Sequence, residues 1–142
     1  MLLNGLETLP LRVKQHVKNA LEVVEFLKNH PKVKAVHHPS LEQFSLYTFY
    51  FGYSLGAGSI FTIEVDADKK GTLEFIDRLK MFYCLANVGD AKCLVTHPRT
   101  TTHSQLSDEE AAEQRIYDNT VRLSIGIENV NDIIADLEQA LA

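Results

Sequence analysis

Val121-Arg122-Leu123-Ser124-Ile125-Gly126-Ile127 alternates apolar and polar or small residues without a break. That is the period of a strand with one face in a core. Val121, Leu123, Ile125 and Ile127 fall on the inner face, and Arg122, Ser124 and Gly126 on the other. The molecule therefore contains a sheet buried on at least one side, and the flanking sequence decides what covers it.

Downstream, Asn129 or Asn131 can cap a last helix in which Ile133, Ile134, Leu137 and Leu141 recur at helical spacing. Upstream, Ser107-Asp108-Glu109-Glu110 has the Ser-x-x-Glu spacing of a capping box. This predicts a helix from Ser107 to about Tyr117, broken by Asp118-Asn119. Phe82 to Val88 and Cys93 to Thr96 read as strands on either side of a Gly89-Asp90 turn. Thr72 to Met81 reads as a helix with Leu73, Phe75, Ile76 and Leu79 inward, and Ser59 to Val65 as a strand rich in Ile, Phe and Thr.

Val33 to His37 is a short β-branched strand ending before Pro39, and Leu41 to Leu55 is too densely apolar to show a period. Pro10 opens a long amphipathic helix with Val13, Val17, Ala20, Leu21, Val24 and Leu27 inward, ending near Asn29-His30-Pro31. Residues 1–9 read as the tail of a preceding element, and residues 10–142 as one domain. Several strands are joined by connections too short for parallel crossovers. The expected fold class is therefore α+β, a small, mostly antiparallel sheet with helices on one face.

The chain has 142 residues, enough for one core, and its 45% hydrophobic and 23% charged content excludes disorder. A net charge of -5 without a Lys/Arg block predicts no nucleic-acid or membrane partner. No run approaches a membrane span and the N-terminus lacks a secretory layout, so the expected location is cytoplasmic. Cys84 and Cys93 form no paired motif and are expected to be buried, inert thiols. The six histidines have no recognised zinc spacing, so no metal site is expected, and neither a nucleophile elbow nor a phosphate loop is present.

Three features could carry chemistry. Arg122 is a guanidinium on a strand beside a hydroxyl and a glycine, suited to a carboxylate or phosphate or simply to covering a sheet face. Asn87-Val88-Gly89-Asp90 could offer backbone donors to an anion or be an ordinary turn. Thr100-Thr101-Thr102-His103-Ser104 could bind a ligand or satisfy its own polar groups.

Four runs together resemble a known family. They are Gly5 to Arg12, Leu85 to Lys92, His97-Pro98 with Thr101 to Ser107, and Val121 to Glu128. In this order they resemble the C-terminal portion of the Cys/Met-metabolism pyridoxal-phosphate enzymes, across essentially the whole chain. Leu85 to Lys92 and Thr101 to Leu106 are most similar to that family's O-acetylhomoserine sulfhydrylase branch.

The resemblance implies the C-terminal domain of a fold-type I pyridoxal-phosphate enzyme that replaces acetate of O-acetylhomoserine with sulfide or a thiol, giving homocysteine or methionine. It implies Arg122 on the substrate α-carboxylate, with Asn87, Val88 and Thr102 as further substrate-side residues. Asparagine at 87, where lyase and synthase members often have serine, favours the sulfhydrylase branch. No lysine has the family's Ser-x-x-Lys setting followed by Gly-His. The expectation is therefore that this chain holds no catalytic and no cofactor-binding residue, is inactive alone, and needs a missing N-terminal pyridoxal-phosphate domain. Arg99, where alanine is common, and the Gln114 to Asn119 approach depart from the family pattern. Family members form homo-oligomers, usually tetramers. The competing expectation is a stand-alone binding or interaction domain that kept the fold without catalysis.

Overall fold

The computed structural model describes residues 2–41 and 57–142. The undecided stretch from Leu41 to Leu55 falls, Leu41 apart, outside them. Helix α1 (Leu2–Glu7) leads into α2 (Leu9–Lys28), with Pro10 in its first turn. Strands β1 (Val33–His37) and β2 (Ile60–Val65) precede α3 (Lys69–Arg78). Strands β3 (Tyr83–Cys84) and β4 (Leu94–Thr96) are followed by a 3-10 turn at Pro98–Thr100 and by α4 (Asp108–Glu113). Strand β5 (Thr120–Ser124) and α5 (Val130–Leu141) complete the described elements.

The strands form one sheet in the order β1-β2-β5-β4-β3. Pairs β1/β2, β2/β5 and β5/β4 are antiparallel, and the edge pair β4/β3 is parallel. The α+β expectation holds, with one parallel pair making the sheet mixed. Period-two alternation sends Val36, Phe61, Ile63, Val65, Val95, Val121 and Leu123 into a single core. Helix α2 meets them with Ala20, Val23, Val24 and Leu27, α3 with Phe75 and Ile76, and α5 with Ile133, Leu137, Ala140 and Leu141. These three helices therefore cover one face of the sheet.

Several local expectations are confirmed by the atoms that cap the helices. Ser107 accepts from the Glu110 backbone N–H at 3.3 Å, while the Glu110 carboxylate accepts from the Ser107 N–H at 2.9 Å. Asn129 caps α5 by accepting from Asn131 N–H at 2.9 Å. The helix expected from Thr72 to Met81 forms but is displaced by three residues at each end, to Lys69–Arg78, because Asp68 caps it by accepting from Gly71 N–H at 2.8 Å.

Four expectations are corrected. First, the inner face of α2 is turned: Val13 is exposed, and His16 and Asn19 are buried with Ala20, Val23, Val24 and Leu27. The reason is hydrogen bonding. Asn19 Nδ2 donates to the carbonyls of Gly126 and Glu128 at 3.0 and 2.8 Å, and His16 Nδ1 lies 2.6 Å from the Ile125 carbonyl. Those carbonyls lie past the end of the β5 ladder and need donors, so two polar side chains take positions that periodicity assigned to valines.

Second, the strand expected from Phe82 to Val88 shrinks to Tyr83–Cys84. Val88 N–H is taken by Asn87 Oδ1 at 2.9 Å and Lys92 N–H by Asp90 Oδ1 at 3.1 Å, so side chains replace the ladder. Third, the helix expected to reach Tyr117 ends at Glu113, because Arg115 adopts φ 56°. Fourth, Cys84 is exposed on the edge strand; only Cys93 is buried. Burial pushes the Cys93 thiol well above its usual range, so it stays protonated.

Among the described residues no helix is long and apolar enough to cross a membrane.

Candidate functional site

The face of the sheet turned away from α2, α3 and α5 carries a polar row. His37 is paired with Thr62, Thr62 with Arg122, and Arg122 with Thr96. Strand period two makes these four side chains share a face. Arg122 therefore stands at the centre of the sheet on β5, where ladder bonds on both sides fix its backbone. His37 Nε2 lies 2.7 Å from Glu64 Oε1 on the same face.

The 3-10 turn and α4 rise over this face and leave a cleft of about 280 Å³. Its walls include His37, Thr62, His103, Arg115, Thr120 and Arg122. Two arginines and two histidines thus line one concavity, and none of its described lining residues is Asp or Glu. The Glu64 carboxylate, on the same face, is engaged by His37.

What fixes the cleft's upper wall is His97, which is buried. Its Nε2 lies 2.9 Å from the Asp118 carbonyl and its Nδ1 2.8 Å from Thr100 Oγ1. The Nε2–H tautomer satisfies both partners, donating to the carbonyl and accepting from the hydroxyl. The ring ties the turn after β4 to the turn before β5. Thr101 Oγ1 adds a bond to the His97 carbonyl at 2.8 Å.

Of the residues expected in the site, the structure brings Arg122 and Asn87 together. Arg122 Nη2 donates to the Asn87 carbonyl at 3.3 Å. The Asn87 side chain faces its own turn, donating to Asp90 Oδ2 at 3.2 Å and accepting from Val88 N–H. That turn needs Gly89 at φ 78°. The backbone N–H of Lys92, then Asn87, hold the Asp90 carboxyl below its ordinary range. Val88 projects outward, 75% exposed, at the lip of the loop. Thr102 is exposed, with Oγ1 2.8 Å from His103 Nδ1; it meets the cleft through that ring and has no hydrogen bond to Arg122 or Asn87.

Sequence reasoning named His103 only within the Thr100–Ser104 run and missed His37 and Arg115 as companions of Arg122. His37 was legible only in part: it adjoins the inward Val36, but the register shift between Val33 and Ala35 breaks the strand's alternation. Arg115 was not, because only the fold carries the end of α4 over β5. Among the described residues no group of three His, Cys, Asp or Glu could hold a metal ion.

Chemically, the cleft can bind and orient an anion. A guanidinium anchored by one backbone carbonyl presents its remaining N–H groups to a carboxylate in a fixed plane. Pyridoxal phosphate would need an amine for its imine, and no lysine lines the cleft. Lys92 is drawn off toward Tyr83, its Nζ 3.2 Å from the hydroxyl and 4.4 Å from the ring centre. The cleft residues thus suit an anion.

The chain is 44% identical over 142 residues to O-acetyl-L-homoserine sulfhydrylase of Leptospira meyeri, and covers 99% of itself and 32% of that protein. It is 38% identical over 140 residues to L-methionine gamma-lyase of Fusobacterium nucleatum subsp. nucleatum, covering 99% of itself and 35% of that protein. A crystal structure of an O-acetylhomoserine (thiol)-lyase assignment from Campylobacter jejuni, containing a pyridoxyl-lysine phosphate group, superposes with TM-score 0.92 at 42% identity, over 99% of this chain and 34% of that one. The chain thus spans about a third of the length of the relatives it matches. The profile of the Cys/Met metabolism PLP-dependent enzymes matches residues 1–142, the whole chain, and the chain belongs to that family.

Proposed function

We propose that this chain is the C-terminal, substrate-binding part of a pyridoxal-phosphate-dependent O-acetylhomoserine sulfhydrylase. The observation that carries the reading is Arg122: a strand-fixed guanidinium facing a cleft without acidic lining and braced by the Asn87 carbonyl. The similarity to enzymes named for O-acetylhomoserine supports the choice of substrate.

In this reading Arg122 takes the α-carboxylate of O-acetylhomoserine and fixes the orientation of the amino acid. The Asn87–Val88 loop and Thr102 form the neighbouring wall. The cofactor supplies the electron sink for loss of acetate, and residues outside this chain hold it. The chain's own contribution is to bind, orient and exclude water. Sulfide or a thiol replaces acetate, giving homocysteine or methionine, and the assembled enzyme is a cytoplasmic homo-oligomer in this proposal.

The test fuses the chain behind the N-terminal two-thirds of a relative and measures acetate release from O-acetylhomoserine. Removing a charge-assisted contact costs about 2 kcal/mol or more, a roughly 30-fold change. Arg122→Ala should therefore raise KM at least 10-fold, and an effect below threefold overturns the assignment. Saturable binding of O-acetylhomoserine by the 142-residue chain alone, abolished in Arg122→Ala, would instead favour a stand-alone binding domain.

A further inference from the structure

Between Pro98 and Ala111 no residue is buried, so the core does not hold this segment in place. Yet the segment builds one wall of the cleft: Pro98 and His103 precede α4, and Gln114, Arg115 and Ile116 follow it. Stretches with exposed backbone and little apolar burial open most readily in a folded protein. Whatever closes this one must be polar.

The near half is anchored where it begins. Thr100 N–H donates to the His97 carbonyl at 3.2 Å, and the N–H groups of Thr101 and His103 to the Pro98 carbonyl at 3.2 and 2.9 Å. Beyond His103 the backbone bonds lengthen, to 3.4 Å from Ser104 N–H to Thr101 O and 3.3 Å from Leu106 N–H to His103 O. The return to the start depends on one side chain. Arg99 Nη1 donates to the Leu106 carbonyl at 3.1 Å, and Nη2 to Asp108 Oδ1. Among the described residues no other hydrogen bond or ion pair joins residues 97–101 to residues 105–110. A planar fork that grips two points at once fixes direction as well as distance. The Arg99 side chain is 18% exposed and that of Asp108 96%, so the carbonyl bond holds more firmly than the solvent-screened ion pair.

We infer that Arg99 is a positioning residue for the substrate: by closing residues 99–108 into a ring it sets where His103 and α4 stand in the cleft that Arg122 lines. This rests on the reading of that cleft as the site for O-acetylhomoserine, and adds to it a residue that does not touch the substrate. With the ring open, the bound amino acid loses one side of its site. Ground state and transition state lose it alike, so KM rises while kcat holds.

The experiment compares Arg99→Ala, which removes both bonds, with Arg99→Lys, which keeps the charge without the fork. Backbone hydrogen exchange is followed in the 142-residue chain. In Arg99→Ala the His103 and Leu106 amides should exchange roughly fivefold faster or more, the scale of one charge-assisted contact on a half-exposed segment. The Val121 and Leu123 amides should stay within about twofold, which shows the sheet intact. In the assembled enzyme, Arg99→Ala should raise KM for O-acetyl-L-homoserine roughly fivefold or more with kcat within about twofold, and Arg99→Lys should recover part of both effects. Unchanged exchange at His103 and Leu106 overturns the inference, as does faster exchange with an unchanged KM or a fall in kcat at constant KM. An unchanged KM in Arg122→Ala overturns the parent reading instead, and the exchange rates then judge the clamp by itself.

Discussion

Replacing Gly126 by alanine tests how the turn after β5 is built. A methyl group there would lie 2.0 Å from Glu128 Oε2, 2.6 Å from the Ala91 carbonyl oxygen and 2.6 Å from the Lys92 carbonyl carbon. The Glu128 carboxylate could swing away, but it would then surrender its bond from Cys93 N–H at 2.8 Å. The other two atoms are backbone and must move with the loop. Forcing a methyl into a filled space costs about 1–3 kcal/mol, and an unpaired buried N–H adds about 1–3 kcal/mol. The expected loss is thus about 3 kcal/mol. For a domain of this size, 1 kcal/mol lowers Tm by roughly 2–8 °C, so Gly126→Ala should melt about 10 °C lower by near-UV circular dichroism. A Tm within 2 °C of the unaltered protein would refute the close approach of the 91–92 and 126–128 segments. Because the displaced loop carries Asn87, the carbonyl that braces Arg122 should shift too, raising KM in the assembled enzyme.

Two further outcomes follow from buried polar groups. Asn19→Leu leaves the Gly126 and Glu128 carbonyls without their donor and should cost about 2 kcal/mol in urea unfolding, whereas Val13→Leu on the exposed turn should stay within about 0.5 kcal/mol. His38 is buried, and burial lowers its pKa from the ordinary 6.5, opposed by the Gly58 carbonyl that favours the protonated ring. The unfolded chain therefore binds the proton more tightly than the folded one. Stability present above pH 6.5 should be lost as pH falls from there through the lowered folded value, and His38→Phe should flatten that part of a Tm-against-pH profile.

The readings that held are those where one periodicity met one chemical reason. Val121 to Ser124 alternates, and the sheet buries Val121 and Leu123 completely. Ser107 with Glu110, and Asn129, cap the helices that their spacing announced. Arg122 was placed on the face opposite the core by counting alone. The misreadings occur where a distant partner overrides local pattern. Val13 looked like core because nothing in α2 reveals that Ile125, Gly126 and Glu128 will present carbonyls to it. Val88 looked like strand because an Asx turn competes with a ladder through side chains that hydropathy does not register. The second arginine of the cleft was hidden for the same reason: Arg115 and Arg122 line one cleft only because the chain reverses through Asp118 and Asn119. Glycine-like backbone at Arg115 leaves no mark in the residue type.

The contacts from His16 and Asn19 also bear on the order in which the molecule forms. They join residues separated by 107 and 109 positions. Helix α2 can coil early from local bonds, but its rotational setting against the sheet is undefined until the end of β5 exists. Closing so long a segment is entropically slow, and contacts of such separation are expected late on the folding path. Asn19→Leu should then speed unfolding while leaving the refolding rate nearly unchanged. The same pair of side chains makes the exit of β5 a clasp on α2, so a nascent chain lacking residues past Ser124 would carry all five described strands yet lack that clasp on α2.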